Sequence, residues 1–339
     1  MKFRLLGRSA MRVSELALGT MTFGEKWGWG ASLDESRRML DLYLDHGGNF
    51  VDTASNYTDG ESETFLGELL GTRRERVVLA TKYTLTSDRK DPNAGGNHRK
   101  NLVRTVEQSL RRMRTDRVDL LWMHMYDGIT PIDEVMRALD DMVAAGKVLA
   151  IGISDTPAWV ISRGIAIAEL RGWSVPCAIQ LPYSVSGRDA ERELLPMASN
   201  LGLAVLAWGV LNGGVLTGKY GSKNSEPRRY GEHTPSERAS RTAAVTAEVA
   251  RETEATAAQV SIAWALAKRS EANIIPILGA RTAKQLEENL GALNVHLGED
   301  MLRKLDESAG FQLGFPRTFL ADEDVVELIF GETRALVEA

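Results

Sequence analysis

Along the whole chain, short apolar runs alternate with longer segments of helical period. The apolar runs occupy 16–19, 49–52, 77–82, 118–124, 148–153, 178–181, 204–208 and 274–278. Several are apolar nearly throughout, as expected of strands covered on both faces. Between them, "SLDESRRMLDLYLDHGG" places Ser32 as an N-cap, acids in the first turn, apolar residues at helical spacing and a glycine stop. "TPIDEVMRALDDMVAAGK" repeats the scheme, with Pro131 at the start and Gly146 at the end. "TPAWVISRGIAIAELRG" and "DAERELLPMASNLG" are the next helical segments. The stretch 235–270 predicts two helices separated near Thr256, and "TAKQLEENLGAL" and "EDMLRKLDESA" complete the series.

Eight strand–helix repeats in roughly 300 residues predict a closed (β/α)8 barrel of the TIM type. No internal boundary appears, so residues 1–339 read as one domain. A doubly wound sheet is the alternative, but "ALGTMTFG" after the first strand lacks the GxGxxG spacing. The longest irregular segments, 84–98 and 212–235, follow strand ends. There, at the C-terminal face of the strands, a barrel carries its substrate and cofactor loops. The tail, 311–339, contains "DEDVVELIFGETRALVEA" and reads as a cap on the barrel or on a neighbouring subunit.

Composition changes this picture little. Apolar residues make up 43% and charged residues 26%, ordinary for a globular protein, and the net charge of −5 has its signs interleaved. No basic stripe suited to nucleic acid is present; "RRMR" at 111–114 falls on a predicted helix and reads as a solvated face. No apolar run is long enough for a transmembrane helix, and the N-terminus lacks the apolar core of a secretory leader. Cys177 is the single cysteine, which excludes an intrachain disulfide, fits a reducing cytoplasm and reads as buried filler. Histidines 46, 98, 233 and 296 lack metal-ligand spacing and GxSxG is absent, so neither a metal site nor a serine hydrolase is expected.

Candidate chemistry gathers at the ends of the early strands. The second strand ends on Asp52, with Tyr57 five residues beyond; the third carries Lys82 in "LATKY"; the fourth carries His124 in "LLWMHMYD". A barrel brings these ends to one face. Each polar group is expensive to bury alone, but together they satisfy one another. The arrangement suits proton donation to a carbonyl oxygen. A free tyrosine, with pKa about 10, is too weak an acid near neutrality, and a neighbouring ammonium strengthens it. Asp52 would hold the lysine and His124 would orient the carbonyl. No side chain supplies a hydride, so the chemistry requires a cofactor.

"VDTASNY", "TKY" and "LLWMH", in this order and spacing, resemble the aldo-keto reductases, and the likeness runs from "LGRSAMRVSELALGTMTFG" to "PILGARTAKQLEENLGAL". The chain resembles the branch of that family that includes channel-associated subunits. The resemblance implies a (β/α)8 barrel in which Asp52, Tyr57, Lys82 and His124 work with a nicotinamide cofactor. It further assigns Gly19 and Thr20 to the cofactor, and Ser154 with Gln180 to the carboxamide. Asp155 stands where family members have asparagine and so lacks an amide donor. Trp208 takes the position that stacks on the nicotinamide ring. Gly209, Leu211, Gly213, Gly218 and Lys219 fall in the pyrophosphate cradle, although Gly209 replaces a serine and Asn212 is unusual. In "GARTAKQLEENL", Gly279, Arg281, Gln285, Glu288 and Asn289 match the adenosine-phosphate site, and the last four share a helix face. Arg281 suits a 2′-phosphate, which favours NADPH over NADH.

Trp27 and Trp29 in "GEKWGWGAS", with Tyr126 and Asp127 after His124, are the substrate candidates, and Phe311 or Phe315 could add an aromatic face. Sugars, aromatic aldehydes and ketonic metabolites all suit such a pocket. The reading is therefore NADPH-dependent reduction of an aldehyde or ketone. The alternative is a cofactor-sensing binding subunit with little turnover. Reaction direction and self-association stay open.

Overall fold

The structure is a computed structural model that describes residues 1–218 and 235–337. Lys219, His233 and most of the 212–235 loop lie outside the described residues.

The chain begins with an antiparallel hairpin, β1 (Phe3–Leu5) and β2 (Arg12–Ser14). Eight parallel strands follow: β3 (Ala17–Gly19), β4 (Phe50–Asp52), β5 (Val78–Tyr83), β6 (Val118–Met123), β7 (Val148–Ser154), β8 (Ala178–Pro182), β9 (Ala204–Trp208) and β10 (Asn273–Leu278). Each pairs with the next, and β10 pairs back to β3 through Ile277↔Ala17 and Leu278↔Leu18, closing a barrel. Closure excludes the doubly wound sheet. Every strand expected from the apolar runs is a barrel strand.

The surrounding helices are α1 (Leu33–Asp45), α2 (Glu61–Leu70), α3 (Arg99–Arg112), α4 (Ile132–Ala144), α5 (Ala158–Arg171), α6 (Leu194–Asn200), α7 (Glu237–Glu252), α8 (Ala257–Ala267), α9 (Ala283–Leu290) and α10 (Glu299–Ser308). Local chemistry sets their ends. Ser32 caps α1 by accepting from the Glu35 backbone N–H, and Thr256 and Gln259 form a reciprocal capping box that separates α7 from α8. The segment expected as one helix over 189–202 is broken. A 3-10 turn, Asp189–Glu191, precedes α6, and Pro196 sits in the first turn of α6, where its missing N–H does no harm; deeper in a longer helix it would clash.

The core has two shells. Strand residues facing outward pack under the helices; those facing inward, Ala17, Phe50, Ala80, Leu120, Trp122, Ala204, Leu206 and Ile275, fill the barrel. Leu6 and Val13 of the hairpin join the inner group and close the barrel at the N-terminal ends of its strands. Gly7 makes this possible: with φ +52, any Cβ there would lie 1.9 Å from the Cys177 carbonyl oxygen. Beyond α10 the tail forms α11 (Arg317–Leu320) and α12 (Glu323–Phe330), anchored by Arg317 donating to the Glu191 carbonyl at 2.5 Å.

Candidate active site

Asp52 ends β4 and Lys82 is the last residue but one of the adjacent parallel strand β5, so their side chains meet. Lys82 is fully buried, and its Nζ donates to Asp52 Oδ2 at 2.5 Å, to the Thr53 carbonyl at 2.8 Å and to Tyr57 Oη at 3.1 Å. Three oxygens therefore exhaust its three donors. Burial opposes the ammonium, but Asp52 and the Tyr57 oxygen outweigh it, and the Lys82 pKa is raised above the usual lysine value. Asp52 is itself fixed from two further sides: Trp122 Nε1 donates to Oδ1 at 2.9 Å and Gln180 Nε2 at 3.1 Å. Thr20, expected among the cofactor residues, is fully buried and donates to the Asp52 carbonyl at 3.1 Å.

The position of Tyr57 depends on an unusual turn. Thr58 and Asp59 both adopt left-handed backbone, φ 47 and 55, which is strained for a β-branched threonine. Thr58 Oγ1 compensates by donating to the Phe23 carbonyl at 2.6 Å and accepting from the Ser62 N–H at 3.2 Å. The turn swings the Tyr57 ring back over Lys82, with Nζ 4.7 Å from the ring centroid.

His124, just past β6, meets Tyr57 edge to face, with centroids 6.1 Å apart and an interplanar angle of 80°. Burial and the Lys82 charge push its pKa down to about 3, so the imidazole is neutral over the working range. Its Nδ1 is buried and has no hydrogen-bond partner among the described residues.

Asp52, Tyr57 and His124 line one cavity of about 610 Å3, within the range of small-molecule and cofactor sites, and Lys82 is buried out of its lining. Of the residues expected to contact cofactor, Gly19, Asp155, Gln180, Trp208, Gly209, Leu211, Gly213, Gly279, Arg281, Gln285, Glu288 and Asn289 line it, as do Trp27 and Trp29. Ser154 is buried at the end of β7 just behind the wall. Gly218 is exposed, at φ +78, just past the wall residue Thr217. Tyr126 lies outside the cavity, packed against the outer core, and Asp127 braces its own loop by accepting from Asn97, Ile129 and Thr130. Phe311 stacks instead on Arg188 and Arg192.

Additional wall residues were not expected at the site: Met21, Thr22 and Met125 sit in loops, Thr217 ends a 3-10 turn, and Thr256 caps α8, whose first residues are Ala257 and Ala258. The indole of Trp122 was equally hidden, since it reads as an inward packing residue on an alternating strand.

The wall has features that fit a dinucleotide. Asn212, Gly213 and Gly214 are consecutive left-handed residues, φ 47, 62 and 92, and Gly279 has open space where a side chain would project. Arg281 has no ion-pair partner among the described residues; its backbone N–H donates to Gln285 Oε1 at 3.0 Å. Chemically, the site can hold a carbonyl between a hydroxyl donor and a neutral imidazole, beside a slot for a hydride carrier.

Comparison with known proteins agrees with this geometry. The aldo/keto reductase family matches residues 15–309. A norsolorinic acid reductase of Aspergillus flavus is 38% identical, covering 94% of this chain and 83% of its own length. A norsolorinic acid reductase of Emericella nidulans is 39% identical, over 92% and 82%. A putative aryl-alcohol dehydrogenase of Saccharomyces cerevisiae is 34% identical, over 96% and 91%. With the closed barrel, the buried Asp52–Lys82 pair and these similarities together, the chain belongs to the aldo/keto reductase family and is an oxidoreductase that takes a nicotinamide cofactor.

Proposed function

We propose that this protein interconverts an aromatic aldehyde or ketone and its alcohol, using NADPH as the reductant and Tyr57 as the proton donor. One observation carries the reading: the buried Lys82 Nζ bonds both Asp52 Oδ2 and Tyr57 Oη, and those two partners line the cavity. A phenol in that position hands its proton to a substrate oxygen while the ammonium stabilises the phenolate left behind. His124, neutral, donates a ring N–H to the same oxygen and fixes the carbonyl. Asp52 lies beneath them and keeps Lys82 aligned.

The bound nicotinamide would supply or accept the hydride. Trp208 and Gln180 would hold its ring, the Gly213–Gly214 turn its pyrophosphate and Arg281 a 2′-phosphate. The buried Nδ1 of His124 and the open space at Gly279 support that fit. Trp27 and Trp29, tilted pair partners with centroids 5.8 Å apart, offer an aromatic face at the same wall, which favours an aryl substrate. The relatives' names, norsolorinic acid reductase and aryl-alcohol dehydrogenase, support the same class. An intact proton relay gives the cofactor-sensing alternative no support.

The test is oxidation of NADPH, and of NADH in parallel, against a panel of aryl aldehydes, aryl ketones and keto-sugars by wild type and Tyr57→Phe. Turnover of aryl carbonyls that falls by about 10² or more in the variant, with NADPH binding retained, is expected. Equal turnover by both proteins excludes Tyr57 as the acid.

A further inference from the structure

Asp155 follows the last residue of β7, beside Gln180 and Trp208 in the cavity wall. Its main chain is pinned: the N–H donates to the Gln180 carbonyl at 3.1 Å, and its own carbonyl accepts from Tyr126 N at 3.3 Å. Left-handed backbone, φ 41, sets the side chain toward Trp208, whose indole Nε1 donates to Oδ1 at 3.1 Å. An indole N–H can only donate, so this bond is well served by a carboxylate.

Asp52 and Lys82 cancel as an ion pair. His124 is neutral, and Tyr57 is uncharged while it holds its proton. Arg281 and Glu288, also in the wall, have opposite signs. Among the described wall residues, Asp155 is left as the acid without a cationic partner, at the edge of the Trp208 indole. Burial has the largest effect and holds its carboxyl above the usual range, while the Trp208 N–H and the Lys82 ammonium oppose that in part.

The two redox forms of a nicotinamide cofactor differ at the ring by one positive charge, present only in the oxidised form. We propose that the Asp155 carboxylate makes this site bind NADP+ in preference to NADPH, and thereby tilts the enzyme-bound reaction toward alcohol oxidation. The proposal rests on the reading that the nicotinamide ring lies against Trp208. In the favoured direction, the carbinol C–H bond breaks and its hydrogen leaves with the electron pair for the nicotinamide. The hydroxyl proton passes to the Tyr57 phenolate, and the C–O single bond becomes a carbonyl. The alcohol is oxidised and the cofactor reduced. Equilibrium in solution is unchanged; what shifts is the ratio of the two bound states, through differential affinity.

Calorimetric titration of wild type and Asp155→Asn with NADP+ and with NADPH, at about pH 8 and so far above the ordinary carboxyl range, tests this. Asparagine keeps an oxygen for the Trp208 N–H and tolerates the left-handed backbone. Wild type is expected to bind NADP+ more tightly than NADPH. The variant should narrow that ratio by about tenfold or more, chiefly through weaker NADP+ binding. An unchanged ratio overturns the proposal. So does an equal loss for both forms, which would make Asp155 only a holder of Trp208. Wild type that binds neither form sinks the NADPH reading itself, and this proposal with it.

Discussion

His124 is a titratable residue held uncharged by its surroundings. Its pKa is about 3 in the fold, against about 6.5 for an unperturbed histidine. Between those values the unfolded chain binds a proton that the folded one refuses, so stability falls as pH drops from about 6.5 toward 3. Each pH unit in that window removes about 1.4 kcal/mol for this one site. Urea denaturation of wild type and His124→Gln across the window should show a shallower acid slope in the variant; identical slopes would place the imidazole in a more polar setting than the structure gives it. The sequence displayed this residue, with Asp52, Tyr57 and Lys82, because a polar group at the end of an apolar strand stands out against its neighbours. It hid the Trp122 and Gln180 bonds to Asp52, since a tryptophan on an alternating strand looks like packing and which donor meets which oxygen is fixed only by closure.

At the level of elements, β6 and β7 lie flush because Gly152 has no side chain. A Cβ there would come within 2.3 Å of the Trp122 ring. Gly152→Ala should overpack the barrel by about 1–3 kcal/mol and push the indole off Asp52 Oδ1. The expected outcome is a lower Tm together with a lower kcat, whereas a drop in Tm alone would show that Trp122 can shift without disturbing Asp52. Element positions were legible where a period ran long enough: all eight barrel strands, the Ser32 cap and the break at Thr256 followed from pattern and capping chemistry. The hairpin was not, because three-residue strands with mixed exposure carry no period. The break before α6 turns on Pro196, a residue that can start a helix or end one.

At the scale of the whole molecule, the hairpin is the floor of the barrel. Leu6 is fully buried in the inner core, at the opposite end from Tyr57 and Lys82. Leu6→Ala should therefore destabilise the fold by about 2–5 kcal/mol while leaving kcat and KM of the folded enzyme unchanged. Calorimetry alongside steady-state kinetics checks this, and altered kcat would mean that strain passes along the strands from floor to mouth. The same floor has an evolutionary meaning. Because one rim of the barrel secures folding and the other rim meets the substrate, loops at the mouth can drift, lengthen or be exchanged without reopening the problem of how the chain folds. Lineages that share this floor are free to diversify in the molecules they accept.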